Sequence, residues 1–148
     1  MSVCVFFGHK ECFGLDTDIL RKTVEQLIAQ GADTFYVGNQ GQFDTAVRSV
    51  LRQLQAVYPH IRYAVVLAYL PVEKCEAEDM SDTMLPEGIE DGPRRFAIER
   101  RNRWLVSRAD WVVCYVHHSW GGAYKFSHLA KNRGKRVINL CQSESAPL

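Results

Sequence analysis

The chain has 148 residues, of which 47% are apolar and 24% charged, and a formal net charge of +1. That length predicts one domain around one core, and that composition is ordinary for a globular protein. Near-neutrality excludes the global basic field of a general nucleic-acid binder, no apolar run reaches membrane-spanning length, and no basic, signal-like segment opens the chain. The five cysteines (Cys4, Cys12, Cys75, Cys114, Cys141) are scattered and form no CxxC, so a reduced, cytoplasmic protein without a zinc site or other cofactor is expected.

Ser2 to Phe7 is an apolar run too short for a helix and reads as a buried strand, followed by Gly8-His9-Lys10-Glu11. Asp16 or Asp18 is placed to cap a helix running to Gln30, with Leu20, Val24, Leu27 and Ile28 on one face and Gly31 as its stop. Thr34 to Val37 is a second strand, and Gly38-Asn39-Gln40-Gly41 follows it directly. Phe43, Val47, Val50, Leu51, Leu54 and Val57 recur in steps of three and four, the signature of an amphipathic helix that Pro59 ends. Tyr63 to Ala68 is a third apolar strand.

From Tyr69 to Pro93 the periodicity disappears into an acidic stretch punctuated by Pro71, Pro86, Gly88 and Gly92. A loop this long reads as a lid, a binding loop, a disordered segment or a plain solvated excursion. A helix from Arg94 to Arg108 comes next. Trp111 to Val116 is apolar at every position, as expected of a strand covered on both faces. After Gly121-Gly122 a helix runs to Asn132 with Ala123, Phe126 and Ala130 inward, Gly134 stops it, and Val137 to Leu140 is a last strand before a polar tail, Gln142 to Leu148. The alternation predicts a single α/β domain, a five-stranded, mainly parallel sheet with helices on both faces.

In such sheets ligands bind beyond the carboxyl ends of the strands, where strand order reverses. If the first three strands build one way and the last two the other, the loops meeting there are Gly8-His9-Lys10 and His117-His118-Ser119-Trp120-Gly121-Gly122. Gly121 and Gly122 open a helix whose free N–H groups favour an anion such as phosphate, with Ser119 and Lys125 adding a hydroxyl and a charge; the alternative is a tight turn and nothing more. Gly38, Asn39, Gln40 and Gly41 repeat the strand–glycine–helix arrangement. Asn39 and Gln40 suit a base or ribose and Asp44 suits a hydroxyl, although an acid in a first helical turn is also common for dipole reasons.

Ile98, Leu105 and Val106 mark the apolar stripe of the helix at 94–108, and Arg101 and Asn102 fall on that stripe. An inward guanidinium needs an acid, carbonyls or a bound anion, so Arg101 is read as a pocket residue with a structural ion pair as the alternative. Arg100 and Arg103 fall off that face and are read as solvated, as are His60 and His128. His9, His117 and His118 sit at strand ends but have no ligand spacing, and no metal site is expected. Trp120 and Tyr124 suit base stacking or packing.

Phe7-Gly8-His9-Lys10, Val37-Gly38-Asn39-Gln40-Gly41-Gln42-Phe43-Asp44, Arg101-Asn102-Arg103 and Gly121-Gly122-Ala123-Tyr124-Lys125 occur in order across residues 3–141. Together they resemble the SLOG superfamily, the Rossmann-like group typified by the DNA-processing protein DprA/Smf and the LOG "lysine decarboxylase-like" proteins, and look closest to its small bacterial members of the YpsA type. The resemblance implies a Rossmann-like domain that binds a nucleotide or nucleotide-derived ligand, often as a homo-oligomer. LOG enzymes that release base from nucleoside monophosphates carry PGGxGTxxE. Here Ser119-Trp120-Gly121-Gly122-Ala123-Tyr124-Lys125 keeps the paired glycines and lacks the glycine-threonine and the glutamate. The expectation is therefore a nucleotide-binding module with no catalytic residue assigned. The alternative is an enzyme acting on an N-glycosidic or phosphate bond through replaced groups, with Glu11, Asp44 or Glu99 as carboxylate and His9 or His117 as base.

Overall fold

The computed structural model describes residues 1–12, 14–69 and 82–141. Its elements are β1 (Val3–Gly8), α1 (Thr17–Ala29), β2 (Thr34–Val37), α2 (Gly41–Val57), β3 (Arg62–Val66), β4 (Thr83–Met84), a 3-10 turn (Arg94–Phe96), α3 (Ala97–Arg108), β5 (Trp111–Tyr115), α4 (Gly122–Asn132) and β6 (Arg136–Asn139). The six strands form one sheet in the order β4-β3-β2-β1-β5-β6, parallel at every pairing. β1 is central, paired with β2 on one side and with β5 on the other, where Phe6 lies opposite Val113 and Phe7 opposite Cys114.

Strand alternation divides the core into two layers. Phe6, Phe35, Val37, Val65 and Val113 pack with Leu20, Val24, Leu27, Phe43, Val47 and Leu51 of α1 and α2. Val5, Phe7, Val112 and Cys114 pack with Leu105 and Val106 of α3 and with Ala123, Phe126 and Ala130 of α4. Asp16 is the N-cap of α1, accepting the N–H groups of Asp18 at 2.9 Å and Ile19 at 3.4 Å. Each face of the sheet is covered, which explains why its strands read as continuous apolar runs.

Among the described residues the sheet has six strands where five were expected. The sixth, β4, lies inside the stretch read as an aperiodic acidic loop, with Thr83 opposite Val65 and Met84 opposite Val66. Two residues carry no period, so only their pairing reveals them. Asp82, just before β4, is held by Arg48 at 2.6 and 3.0 Å, by Arg52 at 3.3 Å and by the Tyr63 hydroxyl at 2.9 Å. Residues 70–81 of the stretch read as a loop or lid, and the expected tail, residues 142–148, lie outside the described residues.

Arg100, expected in solvent, instead ties this segment down, donating to the carbonyls of Ile89 at 2.6 Å and Pro93 at 2.9 Å. Val57, expected on the buried stripe of α2, is 56% exposed; it is the last residue of the helix, whose buried stripe ends at Leu54. No helix among the described residues is long and apolar enough to cross a membrane.

Candidate functional site

Strand order reverses between β1 and β5, and a cleft of about 700 Å³ opens at their carboxyl ends. Its walls bring together Gly8, His9 and Lys10 from the β1 loop, Gly38, Gln40 and Asp44 from the β2–α2 turn, Arg101 and Asn102 from α3, and Gly121 and Gly122 from the start of α4. Phe6, Phe7, Ile98, Leu105 and Ala123 add an apolar wall, and Glu11, His117, His118 and Trp120 complete the lining. The apolar wall was not singled out in the sequence, because the same residues also satisfy a core pattern. Ile98, expected inside the α3 stripe, is 37% exposed and faces this cleft.

Close backbone approach builds the floor. A Cβ on Gly8 would overlap the ring of Phe43, so the end of β1 rests directly on α2. Gly41 has φ +91°, and a Cβ there would stand 2.7 Å from the Lys10 Cα; the Gln42 N–H donates to the Lys10 carbonyl at 2.8 Å. The β1 loop and the start of α2 are thereby locked together. Gly41 itself faces a separate recess with Lys10 and lies outside the cleft lining.

Arg101 is 3% exposed and Asn102 9%, so both lie on the inward stripe of α3. Arg101 Nε donates to Asn102 Oδ1 at 2.7 Å, and Nη1 donates to the Val66 carbonyl at 2.9 Å. The guanidinium also underlies Gly38, where a Cβ would meet Nη1 at 2.6 Å and Asp44 Oδ2 at 2.9 Å. Protein groups therefore supply much of what the buried cation needs. Burial lowers the Arg101 pKa against the raising influence of Asp44. Burial also pushes the Asp44 carboxyl up to about 6, opposed by the Gln40 N–H that it accepts at 2.9 Å and by the charge of Arg101.

α4 begins at Gly121, whose φ of +92° places it in the left-handed region, and no side chain caps the helix. Gly122 is exposed, and a Cβ there would meet nothing within 4 Å. The first-turn N–H groups thus lack a side-chain acceptor at the edge of the cleft. Ser119 is exposed and outside the lining. Lys125 is outside it too, with Nζ 3.4 Å from Glu99, a carboxylate that also pairs with Arg103 at 3.0 Å. Asn39 is not in the lining and takes a 3.2 Å hydrogen bond from the Gln40 side chain.

His9, His117 and His118, which carry no ligand spacing in the sequence, converge here. One ring nitrogen from each lies within 4.8 Å of the others. His9 stacks on His118 at 3.6 Å, and His118 stacks on Trp120 at 3.7 Å, a three-ring ladder ending in an indole that is 68% exposed. His9 Nε2 accepts the backbone N–H of His117 at 3.0 Å. Burial, then the nearby His118 and His117, lowers the His9 pKa to about 4. Tyr124 stacks instead on His128 at 5.6 Å, in a separate groove along α4 and β6.

Neither a protein-family model nor a curated protein matches the chain.

Proposed function

We propose that the cleft binds a nucleotide or a nucleotide-derived ligand. The observation carrying this reading is the uncapped N-terminus of α4, which faces the strand-order reversal with two exposed glycines at its start. A phosphate there accepts from first-turn N–H groups and gains from the helix dipole. Arg101 contributes its positive field from beneath, since its Nε and Nη1 already serve Asn102 and Val66. The open face of Trp120 is a stacking platform for a base, and Gln40 offers amide groups at the opposite wall. The Rossmann-like character and the resemblance to the SLOG superfamily belong to this reading, as does assembly into a homo-oligomer.

The test is calorimetry of the full chain against a panel of purine and pyrimidine nucleotides, with the matching nucleosides as controls. Binding that requires the phosphate and weakens in Trp120→Ala supports the reading. Absence of binding across the panel, or equal affinity for nucleosides, contradicts it.

One observation favours catalysis as a second reading. Asp44 lines the cleft with its carboxyl pushed up to about 6, a value suited to proton transfer near neutral pH. In that reading Asp44 is the acid–base group for cleavage of an N-glycosidic or phosphate bond. Glu99 is a poor alternative, because Arg103 and Lys125 hold its carboxylate outside the lining. Release of free base or phosphate that is lost in Asp44→Asn supports it; no release at high protein concentration excludes it.

A further inference from the structure

Three imidazoles meet at the carboxyl ends of β1 and β5, and phosphate binding at α4 leaves them without a task. Nitrogens of His9, His117 and His118 lie within 4.8 Å of one another. His9 is a neutral ring, because its Nε2 accepts an N–H from the His117 backbone. His118 Nδ1 is buried and has no hydrogen-bond partner, a state rarely left unresolved in a folded protein. No carboxylate among the described residues pairs with any of the three rings. Charging three rings this close together without an anion is unfavourable, whereas neutral imidazoles in such a group form a ligand set.

We propose that His9, His117 and His118 bind a divalent transition-metal cation of the zinc class at the edge of the cleft. Imidazole nitrogen suits zinc, nickel, cobalt and copper, while magnesium and calcium prefer oxygen. Coordination through Nδ1 gives the buried His118 nitrogen its missing partner. Zinc–nitrogen bonds of about 2.0–2.1 Å need the three nitrogens drawn closer than they stand here. The lone pairs of the stacked His9 and His118 rings run nearly parallel, so His118 turns out of its stack for both rings to reach one ion, and the exposed His117 turns with it. Coordination through His9 exchanges its hydrogen bond from His117 for the metal. Three protein ligands leave a fourth position for water, the arrangement of an open rather than a closed metal site.

The experiment uses the full chain stripped with chelator and titrated with zinc by calorimetry, and with cobalt by absorption spectroscopy, in the absence of nucleotide. One equivalent per chain is expected, with visible cobalt bands and no thiolate charge-transfer band. His117→Ala, which keeps the backbone N–H that serves His9, should weaken zinc binding by roughly tenfold or more, as should His118→Ala. His9→Ala serves as a third variant, with its thermal melt recorded because the ring is buried. No saturable binding overturns the proposal, as does unchanged affinity in both His117→Ala and His118→Ala. A thiolate band, placing the metal on cysteine, also overturns it. Nucleotide binding is measured separately, so failure of either site leaves the other standing on its own result.

Discussion

The backbone N–H of His117 donates to Nε2 of His9 across 3.0 Å, joining the loop after β5 to the loop after β1. The bond requires a neutral His9, and the His9 pKa is lowered to about 4. Its contribution to stability is fully present above the ordinary histidine value, about 6.5, and is lost as pH falls toward 4. Asp44 works in the opposite sense. Its folded pKa is raised to about 6, so its contribution is fully present below the ordinary carboxyl value and is lost as pH rises through 6. Between about pH 4 and 6.5 the two slopes oppose each other.

Removing either group should unmask the other. Asp44→Asn should lose stability steeply on acidification through that window, and His9→Gln should lose it as pH rises, each by up to about 3 kcal/mol. Urea unfolding midpoints across the window, for the parent chain and both variants, check the signs.

Gly8→Ala drives a Cβ into the Phe43 ring, which is completely buried in the α1–α2 layer. The overlap involves the Phe43 Cβ as well as its ring, so a ring rotation alone does not relieve it, and the expected loss is about 3 kcal/mol, at the upper end for overpacking. Denaturant unfolding measures it. Gly122→Ala, where a Cβ meets nothing, is the control and should leave stability within about 1 kcal/mol of the parent.

Asp82 anchors β4 through Arg48, Arg52 and Tyr63. Burial alone would raise its pKa, but these hydrogen bonds outweigh burial and hold it below the ordinary value. The linked stability is therefore present above pH 3.8 and lost as pH falls through the depressed folded value. Asp82→Ala should cost about 1–3 kcal/mol and leave Arg48 half-buried without this acid. Hydrogen exchange should rise at the Val65 and Leu67 amides, which donate to the carbonyls of Asp82 and Met84.

Gly122→Asp separates binding from folding. The added carboxylate sits at a helix N-terminus with no neighbour to strike, so stability should hold or rise by about 0.3–1 kcal/mol. A phosphate at the same N-terminus would meet a like charge, and nucleotide affinity should fall by roughly tenfold or more. Melting temperature and calorimetry on one preparation report both effects.

Much of this architecture is written in local patterns. The stripe from Phe43 to Leu54, the Asp16 cap and the apolar strand Trp111–Tyr115 all follow from spacing within a few residues, and chain order alone pointed to the junction of β1 and β5. Arg101 could be placed inward because it interrupts an apolar stripe. Its partner carbonyl on Val66 could not, since that contact spans 35 residues and depends on how α3 lies on the sheet. The same limit hid β4, whose two residues gain meaning only beside β3. It also hid the histidine trio, two of whose members are joined by a backbone-to-ring hydrogen bond across 108 residues. Lys125 lies one helical turn from Gly121, which points it toward the cleft in the sequence, but Glu99 on the neighbouring helix holds its amine aside.

Nucleotide binding at the cleft is measured most directly by titrating the isotope-labelled chain with a nucleoside phosphate and following amide chemical shifts. Binding in the cleft gives saturable shifts concentrated at Gly8 to Lys10, Gly38 to Gln40 and His117 to Ala123, the three loops around it, and these are lost in Gly122→Asp. Shifts centred elsewhere on the molecule, or none with any nucleotide, would contradict it.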